Sequence, residues 1–164
     1  MSPKPLLILF VSTGNAARSQ MAEVFLNSKE NLYYRARSAG VAPLERLPFE
    51  TKAVLETAGY NTEKLHPKSW QGFLAAAHYL PVDVIVTLSE EARQVCAVEW
   101  PDNPVCVHWH VEDPLSAERP DQQEWKFRKC MATLEARINA LVKARPVSTQ
   151  CETFLRFKEI GMIV

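Results

Sequence analysis

Apolar positions in this chain come in blocks of two kinds, short continuous runs and longer stripes of helical period. Pro5-Leu6-Leu7-Ile8-Leu9-Phe10-Val11 is apolar throughout and is closed by Ser12-Thr13-Gly14-Asn15. Such a run fits a strand buried on both faces of a parallel sheet. From Ser19 to Ser28 the spacing becomes helical, with Met21, Ala22, Phe25 and Leu26 on one stripe. Leu32 to Ser38 has the aromatic content and alternation of a second strand, ended by Ala39-Gly40. Pro48 suits a helix start, Ala53, Val54, Leu55 and Ala58 follow, and Gly59 suits the stop. Asn61 to Lys68 is polar and reads as a loop, and Trp70 to Leu80 as a further helix. Val82 to Leu88 is a third strand, and Ser89-Glu90-Glu91 has the composition of a helix N-terminus. Pro104 to Trp109 is a fourth strand. Asp121 to Ala144 carries the longest helical pattern, through Trp125, Phe127, Cys130, Leu134, Ile138 and Leu141.

Strands alternating with helices predict an α/β domain built on a four-stranded parallel sheet. Ligands of such sheets bind at the carboxyl ends of the strands, which directs attention to the loop after the first strand. A length of 164 residues suits one domain with a real core. Nineteen basic and 19 acidic side chains give no net charge. That excludes a generally basic nucleic-acid binder and an acidic tail, while leaving room for a local cationic pocket. The first apolar run is far short of the roughly 20 residues of a membrane span. It leads straight into a helical segment rather than a cleavage site, so a cytoplasmic protein without a membrane partner is expected.

Cysteine usage is sparse: Cys96, Cys106, Cys130 and Cys151, with no C-x-x-C pair and none in the first half. This is not a disulfide framework. Cys106, His108 and His110 alternate and share one face if the fourth strand extends that far. A zinc site also needs a fourth ligand and a supporting shell, so no metal is assigned. Residues 1–145 are expected to form the domain and 146–164 a C-terminal extension. Phe154, Leu155, Phe157, Ile160, Met162, Ile163 and Val164 make that extension too apolar for a solvated tail. It is expected to pack on the domain or on a second subunit, as in a homodimer.

Ser12-Thr13-Gly14-Asn15-Ala16-Ala17-Arg18-Ser19 follows a buried strand and opens a helix. Small residues let the backbone curl and turn several N–H groups inward, and the helix dipole adds positive potential there. Arg18 supplies a planar fork matching two oxygens of a tetrahedral anion. No Gly-Lys-Ser/Thr follows, so this is not a Walker A loop.

The stretch Leu9 to Glu23, with Arg18-Ser19-Gln20-Met21-Ala22-Glu23 at its end, resembles the phosphate-binding loop of the low-molecular-weight protein tyrosine phosphatase superfamily. More closely it is similar to the arsenate reductases built on that fold. Ser38-Ala39-Gly40, Asp83 to Thr87 and His108-Trp109-His110-Val111-Glu112-Asp113-Pro114 support the resemblance in the same order, over roughly residues 5 to 144. It implies a three-layer sandwich around the parallel sheet. It places the nucleophile at position 12, the anion clamp at Arg18 and the nucleophile's hydrogen-bond partner at Ser19. Asn15 is the side chain that fixes the loop, Asp113 the general acid, and residues Thr13, Gly14, Asn15, Ala16, Ala17 and Arg18 line the oxyanion. The implied ligand is arsenate, phosphate or sulfate, and the implied role is arsenic detoxification. No tightly bound cofactor is implied, only an external thiol or redoxin where there is turnover.

The chain departs from that pattern at the nucleophile, which is cysteine in the family and Ser12 here. Helix dipole and arginine bring a thiol into the ionised range near neutral pH, whereas an alcohol stays far above it without an adjacent base. Redox turnover is therefore expected to be lost or strongly impaired, whether Ser12 is natural or a replacement. Ser89 stands where a second cysteine is expected, while Cys96 matches a position where related reductases carry one and is a possible redox residue. Asp113-Pro114 is followed by Leu115-Ser116-Ala117-Glu118 without the aromatic wall typical of phosphotyrosine enzymes. That favours a small inorganic oxyanion over an aryl phosphate. A non-catalytic oxyanion-binding or regulatory protein and a low-molecular-weight phosphatase are the alternatives.

Overall fold

Four strands run side by side through the middle of the molecule: β1 (Leu6–Ser12), β2 (Tyr34–Gly40), β3 (Val84–Thr87) and β4 (Val105–His108). The computed structural model describes residues 4–164. All pairings are parallel and the order is β2-β1-β3-β4, so β1 is central and its neighbours lie on opposite sides. Chain order reverses direction across the sheet at β1, where a crevice opens at the strands' carboxyl ends.

Alternation along β1 divides the core. Ile8 and Phe10 face a layer formed by α1 (Arg18–Asn27), α2 (Phe49–Thr57), α4 (Pro120–Lys143) and α5 (Gln150–Ile160). Leu9 and Val11 face α3 (Trp70–Ala76) and a 3₁₀ helix, Glu91–Ala97. With both faces covered, every residue of β3 is buried, which explains its unbroken apolar sequence. The result is a three-layer sandwich. Among the described residues, no helix is long and apolar enough to cross a membrane.

Several boundaries differ from expectation. β2 begins at Tyr34 because the Asn31 side chain accepts from the Tyr33 and Tyr34 N–H groups, holding residues 31–33 in a turn. It continues to Gly40 because Ser12 pairs with Gly40. α3 stops at Ala76, and its last carbonyl takes the N–H groups of Tyr79 and Leu80 in a turn. β3 covers only Val84–Thr87, with Asp83 outside and its carboxylate accepting from Leu7 N–H at 2.7 Å. After β3 the expected helix is a 3₁₀ helix, begun by Ser89 Oγ accepting from Ala92 N–H.

Residues 150–160 form a helix on the domain's own core. Thr149 and Glu152 make a reciprocal capping box at its start. Phe157 and Ile160 join the cluster of α1 and α4, and Trp109 Nε1 donates to the Phe157 carbonyl at 2.7 Å. Arg137 on α4 donates to the carbonyls of Ile163 and His110. Gly161 lies against the Trp109 indole, where a Cβ has no room.

Candidate oxyanion site at the end of the central strand

Ser12 is the last residue of β1 and is 1 % exposed. Its hydroxyl lies 2.6 Å from Ser19 Oγ on the first turn of α1. Ser19 Oγ also accepts from Asn15 Nδ2 at 2.7 Å. Ser19 has one hydroxyl proton, and accepting from Asn15 leaves that proton free for Ser12 Oγ. Asn15 has φ 51°, the left-handed region that asparagine tolerates and most residues do not. The loop reverses there and runs into α1 without a side-chain N-cap. Among the described residues, the backbone N–H groups of 13–17 donate to no protein acceptor.

Long-range bonds hold this shape. Asn15 Oδ1 accepts from Gln20 Nε2 at 3.0 Å and from Lys68 N–H at 2.9 Å. Gln20 also donates to the His66 carbonyl, and Thr51 Oγ1 donates to the Ala16 carbonyl at 2.7 Å. The carbonyls of Ser12, Thr13 and Gly14 accept from Val41, Ala42 and Leu44 N–H groups. Gly40 packs so closely that a Cβ there would sit 2.8 Å from Asn15 N and 2.9 Å from the Thr13 carbonyl oxygen. Thr13 Oγ1 shares its single proton between Ser89 Oγ and Glu91 Oε2, at 3.0 and 3.1 Å. Its own backbone N–H and the Thr13 hydroxyl hold the Glu91 carboxyl below the usual carboxylate range.

Ser12, Thr13, Gly14, Ala16, Ala17 and Arg18 line a cavity of about 210 Å³. Ala42, Leu44, Asp113 and Leu115 complete its wall. Arg18 is 8 % exposed, and its Nη1 donates to the Val111 carbonyl at 3.1 Å while Nη2 stands 3.8 Å from Asp113 Oδ2. Asp113 is anchored in turn, because its Oδ1 accepts from Leu115 N–H and its carbonyl accepts from Ser116. Arg18, Asp113 and the loop residues other than Asn15 whose N–H groups are free thus line one small chamber.

A model of the low molecular weight phosphotyrosine protein phosphatase matches residues 7–150. The chain belongs to that family. An arsenate reductase of Halalkalibacterium halodurans is 32% identical over 142 residues, covering 84% of this chain and 95% of the relative. The crystal structure of an arsenate reductase from Archaeoglobus fulgidus superposes with a TM-score of 0.62 at 32% identity, over 84% of this chain and 99% of that one. A low molecular weight protein tyrosine phosphatase from T. tengcongensis gives a TM-score of 0.67 at 24% identity, over 84% and 98%, and shows the shared fold.

Within this family member, Ser12, Thr13, Gly14, Ala16, Ala17, Arg18 and Asp113 line one chamber, with Asn15 and Ser19 buried behind Ser12. Cys96 is not among them: it lines a separate cavity with Cys106 and His108. Thr51, Gln20 and Lys68 were not read from the sequence as parts of the site. Lys68 is anchored beside Glu23 at 3.8 Å, and burial, which outweighs that carboxylate, pushes its ammonium pKa down.

Proposed function

We propose that the chamber closed by residues 12–19 binds one tetrahedral oxyanion, with arsenate as the anion that suits this chain best and phosphate and sulfate as competitors. The observation that carries this reading is the set of unpartnered N–H groups of residues 13–17, in a loop whose lining includes Arg18. Backbone donors fixed at a helix start bind anions at little reorganisation cost. The arsenate reductases among its relatives support arsenate. So does the wall: Leu44 and Leu115 line the chamber where an aryl phosphate needs an aromatic slot.

The roles follow from position. Arg18 clamps two anion oxygens, Asn15 and Ser19 fix the group at position 12, and Asp113 stands at the rim where a general acid is placed. With a cysteine in place of Ser12, a thiolate there would attack the bound arsenic in line while Asp113 protonates the departing oxygen, and an external thiol or redoxin would complete the reduction. Ser12 supplies no such thiolate, because its hydroxyl faces only Ser19 Oγ and no base is in contact with it. The chain therefore binds without reducing, which is the behaviour of a non-catalytic oxyanion-binding member of the family.

Titration calorimetry with arsenate and with phosphate tests binding, using the native chain and Arg18→Ala. Saturable heat in the first and at least roughly tenfold weaker binding in the second is expected, one charge-assisted pair contributing about 1.5–3 kcal/mol. No heat from the native chain refutes the binding role. Turnover is tested with Ser12→Cys, supplied with arsenate and thiol or with a generic aryl phosphate. Arsenate consumption restored by the cysteine supports the reductase scaffold, and hydrolysis of the aryl phosphate in its place supports a phosphatase. Intact oxyanion binding with neither activity removes both enzymatic readings.

A further inference from the structure

Outside the chamber 12–19, cationic side chains gather on one face of α4. Lys126, Lys129, Thr133 and Arg137 recur at helical spacing and line a cavity of about 240 Å³ against His110 and Glu112. This cavity shares no lining residue with the chamber of Ser12 and Arg18. Arg137 is 6 % exposed, and its guanidinium lies 6.0 Å from the Trp109 ring centroid. Nε donates to the Ile163 carbonyl at 3.0 Å and Nη1 to the His110 carbonyl at 3.2 Å, so the group is fixed in place. Among the described residues Nη2 donates to no protein acceptor. It is not sealed off either, since the buried side-chain atoms left without a partner are Gln20 Oε1 and Asn31 Nδ2. Nη2 therefore opens to the cavity that its side chain lines. Neither Arg137 nor Lys129 has a carboxylate partner among the described residues. Lys126 pairs with Glu112 at 3.0 Å, and Val164 at the cavity wall is fully exposed. Three side-chain cations thus face one side-chain carboxylate. Burial lowers the Arg137 pKa, as expected of a cation short of counter-charge.

We propose that this cavity is a second anion site, taking the phosphate dianion of inorganic phosphate or of a small phosphomonoester. A dianion balances the surplus of positive side chains and supplies the counter-charge that the buried guanidinium lacks. Its terminal oxygens diverge, so Arg137, Lys129 and Thr133 each take a different one, whereas the two oxygens of a carboxylate lie in one plane. The volume is slightly above the 210 Å³ of the chamber 12–19, which suits a phosphate group with a small substituent and not a large ligand. The Arg137 fork is already held by two carbonyls and an indole face, so binding costs little ordering of its long side chain. With no lining residue in common, this site does not rest on the reading of the chamber 12–19.

Inorganic phosphate and, separately, glycerol phosphate are titrated into the full isotope-labelled chain and followed by NMR. The amides of 129–133 and the Arg137 Nε–H report on this cavity, and the amides of 13–17 report on the chamber. Saturable shifts at 129–133 and Arg137 are expected in the native chain and in Arg18→Ala alike, and the tighter of the two ligands tells free phosphate from ester. Arg137→Gln weakens binding at 129–133 at least about tenfold. Lys129→Glu, at an exposed position, weakens it about threefold or more while the spectrum stays that of the folded chain, so the test survives if Arg137→Gln fails to fold. Three results overturn the proposal: no saturable shift at 129–133, shifts confined to 13–17, or midpoints at 129–133 unchanged in Lys129→Glu. Shifts at 129–133 with 13–17 silent support it and remove the binding role of the chamber instead.

Discussion

Replacing Asn15 tests whether the loop is held by its side chain or merely permitted by its backbone. The residue is fully buried, sits at φ 51° and makes three side-chain bonds, to Ser19, Gln20 and the Lys68 N–H. Asn15→Ala removes all three. Gln20 keeps its bonds to the carbonyls of Asn15 and His66, and Ser19 keeps Ser12. Lys68 N–H is left with no acceptor, which costs about 1–3 kcal/mol for a buried donor. The two other lost bonds contribute roughly 0.5–1.5 kcal/mol each, and alanine in the left-handed region adds about 1–2 kcal/mol. The low ends of these ranges come to about 3 kcal/mol, a large part of a stability of roughly 5–15 kcal/mol.

Asn15→Gly separates the contributions. It accepts the left-handed backbone without strain and still loses every side-chain bond, with about 0.5–1 kcal/mol of extra chain entropy in the unfolded state. It is expected to remain at least about 2 kcal/mol below the native chain. Urea unfolding followed by tryptophan fluorescence measures both variants, since the buried Trp109 reports on the packed state. A glycine variant within about 0.5 kcal/mol of native refutes the claim that the Asn15 amide holds the loop, because only the backbone conformation would then matter.

Three further outcomes are expected. Gly40→Ala drives a Cβ into the backbone of Asn15 and Thr13 and costs about 1–3 kcal/mol, with a matching fall in melting temperature; an unchanged melting curve means the loop yields. Phe157→Ala costs about 3–5 kcal/mol and truncation before Pro146 gives no cooperative urea transition, whereas a truncated chain with the native midpoint makes the last helix dispensable. Burial, aided by Arg93 and opposed by Glu90, lowers the His108 pKa. A lowered histidine stabilises the fold above its unfolded pKa near 6.5, and that contribution is lost as pH falls toward the folded value. Urea midpoints of the native chain should therefore drop more between about pH 7 and pH 5 than those of His108→Gln, and parallel curves contradict the assignment.

What was legible follows from how far apart the interacting groups lie. β1, α1 and α4 announce themselves because each buries a local periodic pattern, and the loop between β1 and α1 was legible because its small residues and Arg18 are contiguous. α5 was missed as a helix although its signal is local: Thr149-Gln150-Cys151-Glu152 has the spacing of a capping box, and the structure makes one. The start of β2 turns on one side chain, Asn31, that competes for two backbone N–H groups. Alternation alone does not register such competition.

The supports of the loop 12–19 were illegible for a different reason. Gln20, Thr51 and Lys68 are polar, and a period-based reading assigns polar positions to solvent. Gln20 and Thr51 are nonetheless fully buried. They are buried because the order β2-β1-β3-β4 places the end of β1 between two other strands. The segments that follow β2 and α1 must then close over a backbone full of unpaired groups. Each polar side chain there answers one of those groups: Thr51 the Ala16 carbonyl, Gln20 the His66 carbonyl, and Asn15 the Lys68 N–H. Cys96 shows the same limit from the opposite side. By resemblance its place in the chain matches a cysteine of related reductases, but the 3₁₀ segment 91–97 sets it in the wall of a cavity shared with Cys106 and His108, apart from the chamber that Ser12 lines. A residue's neighbours are decided by topology, so a cysteine whose place in the sequence resembles a family pattern still stands apart from the site that the pattern implies.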